Sequence, residues 1–135
     1  MKKTRIISVI LLTLFFVLEA HAERNTIRLI CKYSHTINTE GKSSGTSGED
    51  LITVNYSDNG DAIIKKQGLG AEFTGTITDE EVYGKTEYKI SGSTIQQTLM
   101  INRYTGAFEI TFEIIGSKGG LIHYGICELV TKQKF

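Results

Sequence analysis

The segment LIHYGICELV, residues 121–130, holds the second of two cysteines, and TIRLICKYSH, residues 26–35, holds the first. In each, apolar and polar residues alternate with the period of two that marks a β-strand. If the two strands run antiparallel with Cys31 facing Cys127, residue numbers across the pair sum to 158. Leu29 then meets Leu129, Tyr33 meets Gly125, and His35 meets His123. One face collects Ile27, Leu29, Cys31, Tyr33, Leu121, Cys127 and Leu129. The other collects Arg28, Lys32, Glu128 and Lys132, alongside Ile30, Ile126 and Val130. Tyr33 over Gly125 is an aromatic ring covering a weak strand position. The register therefore predicts a Cys31–Cys127 disulfide that staples the last strand to the first. Closing a loop of roughly 100 residues in this way contributes about 4–5 kcal/mol by the chain-entropy argument.

The residues between these two segments repeat the same pattern, and no window holds a helical period. Strands are predicted at DLITVNYS (50–57), AIIKKQ (62–67), EFTGTITD (72–79), TEYKIS (86–91, after a break at Tyr83-Gly84), TIQQTLMIN (94–102) and AFEITFEII (107–115). Asn59-Gly60 signals a hairpin turn, and Thr105-Gly106 supplies another. GSKGG (116–120) forms the last. The expected fold is all-β, an antiparallel meander of about eight strands forming a small barrel or sandwich. An even strand number lets the first and last strands pair.

The N-terminus places Lys2, Lys3 and Arg5 before the apolar run Ile6–Leu18, followed by Ala20-His21-Ala22. This is the layout of a signal peptide cleaved after Ala22, giving residues 1–22 as signal and 23–135 as a single β domain. The apolar run falls short of the roughly 20 residues that span a bilayer. Cys31 lies too far from the cleavage site to carry a lipid, so no stable membrane anchor is expected after cleavage. Export to the periplasm or beyond implies an oxidising compartment, in which two cysteines are bridged. Removing Lys2, Lys3, Arg5 and Glu19 leaves 12 basic against 14 acidic residues, net −2. That balance offers no electrostatic footprint for nucleic acid.

Several motifs invite chemistry. His35 opposite His123 could hold half of a metal site or act as a proton-sensitive latch, but beyond Glu40, nearby in sequence, no third ligand is evident and no metal is expected. Gly41-Lys42-Ser43, within TEGKSSGTSGED (39–50), resembles the end of a phosphate loop, yet Thr36 stands where the partner glycine belongs. The segment reads as a flexible polar surface loop, with Lys42 and Ser43 as contact residues. Asp79-Glu80-Glu81 is a solvated acidic run at a strand end. Tyr83, Tyr88 and Tyr104 read as turn or surface aromatics that can anchor a partner, or else as half-buried side chains. No serine occupies a Gly-x-Ser-x-Gly turn and neither cysteine is free, so no catalytic residue and no cofactor are expected.

TGTITDEEVYG, LMINRYTGAFEI and GICELVTKQKF together resemble a loose group of small exported bacterial proteins of unknown function, often encoded near prophage and plasmid genes. The most specific piece is Ile101-Asn102-Arg103-Tyr104-Thr105-Gly106, similar to that group's Ile-Asp-Arg-x-Thr-Gly hairpin with Asn for Asp. The resemblance covers about the last 60 residues and implies the fold and compartment, not an activity. Within the hairpin, Asn102 and Gly106 have turn duties and Arg103 is left as the one member without a structural duty, so Arg103, with Tyr104, is a candidate contact. Small periplasmic barrels that inhibit lysozymes are similar in size, but their Ser-Gly-x-x-Tyr is broken here, Ser91-Gly92 being followed by Ser93-Thr94-Ile95. The expected function is binding of another macromolecule, an envelope or extracellular protein, as an inhibitor, immunity-like protein or accessory factor. The alternative is a small-ligand carrier using the barrel interior. A filled interior with exposed tyrosines beside residues 36–49 favours the first, and a vacant apolar interior favours the second.

Overall fold

The computed structural model describes residues 25–67 and 72–130. The predicted signal peptide and Lys132 lie outside them. Among the described residues there are nine strands: β1 (Asn25–Asn38), β2 (Ser43–Gly45), β3 (Glu49–Tyr56), β4 (Asp61–Lys66), β5 (Glu72–Ile77), β6 (Glu81–Ile90), β7 (Ser93–Asn102), β8 (Ala107–Ile114) and β9 (Gly120–Leu129). All pairings are antiparallel. From β3 to β9 each strand lies beside the next, β1 lies beside β3, and β9 returns to β1. The result is a closed eight-stranded barrel, with β2 as an extra strand on the far half of β1. Closure leaves the eight barrel strands without the open edge that templates aggregation.

Alternation along each strand fills the barrel. Ile52, Val54, Ile64, Phe73, Leu99, Phe108 and Ile110 point inward and are buried, around Cys31 at the seam. The turns at 57–60, 78–80 and 103–106 define one end, called here the lower end. Those at 39–42, 91–92 and 115–119 define the upper end. Charged residues such as Arg28, Lys32, Lys85 and Glu87 face outward. This polarity, apolar inside and charged outside, is the inverse of a transmembrane barrel.

The seam follows the predicted register from Leu29 to Tyr33 and then departs from it. Cys31 pairs with Cys127 and Tyr33 with Gly125, but beyond a bulge His35 pairs with Tyr124 and Thr36 with His123. Ser34 is the extra residue, its Oγ donating to the Tyr124 carbonyl at 3.2 Å. A bulge of one residue exchanges the faces of everything after it. The predicted His35–His123 pair is therefore wrong. His123 points inward between Tyr33 and Phe112, with ring centroids 5.5 and 5.3 Å away. His35 points outward and stacks on Tyr124 at 4.8 Å. Gly125 is needed where β1 crosses closest, since a Cβ there would lie 2.1 Å from the Lys32 carbonyl oxygen.

Two further readings are corrected. Tyr83-Gly84 is not a break but the interior of β6. Gly84 faces inward opposite Gly75, and a Cβ on it would lie 2.6 Å from Ile64 Cδ1 and 2.8 Å from Phe73 Cβ. The glycine makes room for the core aromatic, not for a turn. The segment 36–49 is not simply a flexible loop either. β1 runs on to Asn38 and turns back into β2, which pairs Ile37 with Ser43 and His35 with Gly45. Asn38 Oδ1 closes that turn by accepting from the Glu40 and Lys42 amides, each at 3.0 Å.

The disulfide joins Cys31 and Cys127, 96 residues apart in sequence. Replacing both cysteines by serine is expected to lower unfolding stability by about 4 kcal/mol, measured by urea denaturation. Thiol reductant should reproduce the loss in the parent protein and have no effect on the variant.

Candidate functional site

The upper half of the barrel is where the inward faces turn polar. Asp50, at the start of β3, meets Lys66, at the end of β4, with Nζ 3.1 Å from Oδ2. The Tyr33 hydroxyl donates to the same carboxylate oxygen. Lys66 is only 7% exposed, so its charge depends on this partner, as buried charges must. Burial, and then the hydrogen bond to the Asp50 carboxylate and its charge, push the Tyr33 phenol well above its ordinary value. One strand pair further round, Thr36 Oγ1 lies 2.6 Å from His123 Nδ1 and 2.6 Å from Thr46 Oγ1. Burial and the nearby Lys66 charge lower the His123 pKa, while Asp50 opposes the shift.

Gln97, on β7, is a further polar residue of this layer. It is 2% exposed, and its Nε2 donates to the Tyr88 hydroxyl oxygen. Its Oε1 is buried with no hydrogen-bond partner. Tyr88 therefore faces the interior and is half-buried, the second of its two readings. Above this layer the barrel opens into a recess of about 370 Å³ between β6, β7, β8 and β9, walled by Ile90, Ile95, Phe112, Ile114 and Leu121, with Tyr88 and His123 also lining it. A volume of this size lies at the low end of the roughly 300–1,000 Å³ typical of ligand pockets.

The residues predicted as contacts do not come together. Lys42 and Ser43 lie at the upper end, Lys42 in an exposed pair with Glu40 at 3.6 Å that contributes little. Tyr83 lies mid-wall on the outer face, between Thr76 and Met100. Arg103 and Tyr104 share the β7–β8 turn at the lower end. There Asn102 Oδ1 accepts from the Tyr104 and Thr105 amides at 2.9 and 3.0 Å, and Gly106 takes φ 76°. Arg103 does have a structural duty: its amide donates to the Glu80 carbonyl at 2.8 Å and its guanidinium to the Thr78 carbonyl. It thereby ties the β7–β8 turn to the β5–β6 turn. Tyr104 is left free, 77% exposed, beside Leu129 at 68%. Both line a cleft of about 490 Å³ whose floor includes Ile27, Leu29, Val82 and Ile101.

Three residues of the upper layer were missed at the level of sequence: Asp50, Lys66 and Gln97. Tyr88 had a legible signal, because Val82, Gly84, Thr86, Tyr88 and Ile90 alternate on one face once β6 is read through Gly84. Lys66 had none, since a lysine ending an alternating strand ordinarily marks the solvent side. Among the described residues, no group of three or more His, Cys, Asp or Glu side chains is placed to hold a metal ion. The chain matches no protein-family model, and no curated protein matches it in sequence.

Two outcomes follow from the polar layer. Lys66→Met leaves the Asp50 carboxylate without its cation and is expected to cost about 3 kcal/mol, read as a shift in the urea midpoint. For His123, the folded-state pKa lies below the ordinary 6.5, so the unfolded chain takes up the proton first as pH falls. Its contribution to stability is complete above pH 6.5 and declines as pH drops from there towards the folded pKa. His123→Gln should flatten the stability profile in that window, measured by denaturation between about pH 5 and 7.5.

Proposed function

We propose that this chain is an exported, non-enzymatic protein of the periplasm or extracellular space that binds another macromolecule, an envelope or extracellular protein. The disulfide fits an oxidising compartment. The polarity of the barrel wall fits a protein surrounded by water and not by lipid. Asp50, Lys66 and Tyr33 satisfy one another's polar atoms, which supports a structural role over a catalytic one.

The observation that carries the reading is the lower end. Tyr104 and Leu129 stand exposed beside an apolar cleft, on a turn fixed by Asn102 and Arg103. An exposed aromatic held by a rigid turn at the edge of an apolar cleft is how protein interfaces place their strongest contacts. Because the turn is already ordered, little conformational entropy is lost on binding. The middle of the barrel is filled by its own side chains, as expected of a protein that presents a surface. The exposed tyrosine lies at the end opposite residues 36–49, so the Arg103–Tyr104 turn replaces that segment as the proposed contact. Inhibitor, immunity-like protein and accessory factor all remain roles of such a surface.

Residues 23–135 with the disulfide formed, immobilised and exposed to an envelope extract, are expected to retain one protein stoichiometrically at high salt. Tyr104→Ala, which removes a side chain that is 77% exposed, should weaken that complex by at least roughly tenfold, a loss near 2 kcal/mol for a central aromatic. Retention of no protein, or full retention by Tyr104→Ala, would remove the basis for this assignment.

A further inference from the structure

The recess at the upper end is independent of the Arg103–Tyr104 surface and carries a chemistry of its own. Its walls are the inward side chains Ile90, Ile95, Phe112, Ile114 and Leu121, and Tyr88 and His123 bring polar groups to it. Beneath Tyr88 the Gln97 amide is 2% exposed, and its oxygen has no partner. An unpaired buried amide oxygen is costly, on the order of 1–3 kcal/mol, and native cores rarely keep one without a reason. The Tyr88 hydroxyl oxygen accepts from Gln97 Nε2, which leaves its own proton free to donate into the recess. Beside His123, the recess thus holds one free donor, the Tyr88 O–H, and the residue hydrogen-bonded to that hydroxyl, Gln97, carries one unsatisfied acceptor, its Oε1.

We propose that this cup is a binding site for a small neutral amphiphile: an apolar body with a single hydroxyl or carboxamide head group. The apolar walls take the body, as in most small-molecule sites. A head that both accepts and donates matches the Tyr88 proton and, with a small shift of the tyrosine ring, the Gln97 oxygen. The lining selects against anions. No lysine or arginine lines the recess, and the His123 pKa is lowered, so no lining cation meets an anionic head group at neutral pH. A carboxylate ligand would be desolvated without a partner, which is strongly unfavourable. The lower cleft differs in kind, since its floor of Ile27, Leu29, Val82 and Ile101 brings no polar side chain to a ligand.

The test uses residues 23–135 with the disulfide intact and N-phenyl-1-naphthylamine as the fluorescent probe. Emission should rise on binding, and 1-octanol and octanamide should displace the dye, each at least roughly tenfold more effectively than octanoate. Ile114→Trp fills the cup from a position already 37% exposed and should abolish dye binding, with the melting temperature reporting that the fold is intact. Tyr88→Phe keeps the wall and removes the hydroxyl. It should weaken octanamide roughly tenfold, the worth of one hydrogen bond, and leave the apolar dye bound. The proposal is overturned if the dye does not bind, if octanoate competes as well as octanol, or if Ile114→Trp binds the dye like the parent protein. The last outcome would move dye binding to another surface, with the lower cleft as the next place to look.

Discussion

The pairing of β1 with β9 is the constraint on which the rest of the structure depends. Seven successive hairpin-like pairings build a strip of sheet, but a strip has two edges and a half-covered face. Only when the last strand returns to the first do both edges disappear and the inward side chains enclose one another. The disulfide sits at this closure, tying residues 31 and 127. Its location is where a covalent tie restricts the unfolded chain most, because nearly the whole domain lies inside the loop. Gly125 completes the seam by letting the β1 backbone approach, with Tyr33 lying over it against Phe108 at 5.6 Å.

Closure also explains why polar groups sit inside. Eight strands leave an interior just wide enough for side chains to fill. The aliphatic residues and Phe73 fill the middle and lower part, and towards the upper end the inward positions fall to Asp50, Lys66, Thr36, Gln97, Tyr88 and His123. Each of these carries polar atoms into a low-dielectric space, where an unpaired group is expensive. Nearly all of them find a partner in one another, and the Gln97 oxygen is the exception. The same layer that completes the core is therefore the base of the upper recess. Stability and any binding chemistry at that end share residues, and substitutions there affect both.

The two ends of the barrel differ in what they present. The lower end holds a turn braced by two hydrogen bonds from Arg103 and an exposed Tyr104, which is surface chemistry. The upper end holds a recess whose polar atoms lie below an apolar wall, which is pocket chemistry. They stand at opposite ends of one rigid, stapled domain, so occupancy of one end need not block the other. A protein partner at the lower end and a small amphiphile at the upper end are compatible on geometric grounds.

Period-two alternation and two cysteines were enough to indicate an all-β meander whose first and last strands are joined by a disulfide, because a strand's side chains must alternate between core and solvent; the choice of barrel over sandwich came from the tertiary structure. The Asn59-Gly60 and Asn102–Gly106 turns were legible for a similar reason: their backbone conformations require particular residues. Ser34 shows where that legibility ends. A bulge inserts one residue without any compositional mark and reverses every side chain beyond it, so the parting of His35 from His123 belongs to the tertiary structure alone. Gly84 misled in the opposite sense, because a glycine that admits a neighbouring phenylalanine looks in sequence like one that makes a turn. Lys66, Gln97 and Tyr88 became an interior layer only when neighbouring strands, curled into the barrel, turned them inward beside their partners. Whether a polar side chain faces water or a neighbour across the core is decided by the cost of burying it unpaired, and its partners exist only in the closed barrel.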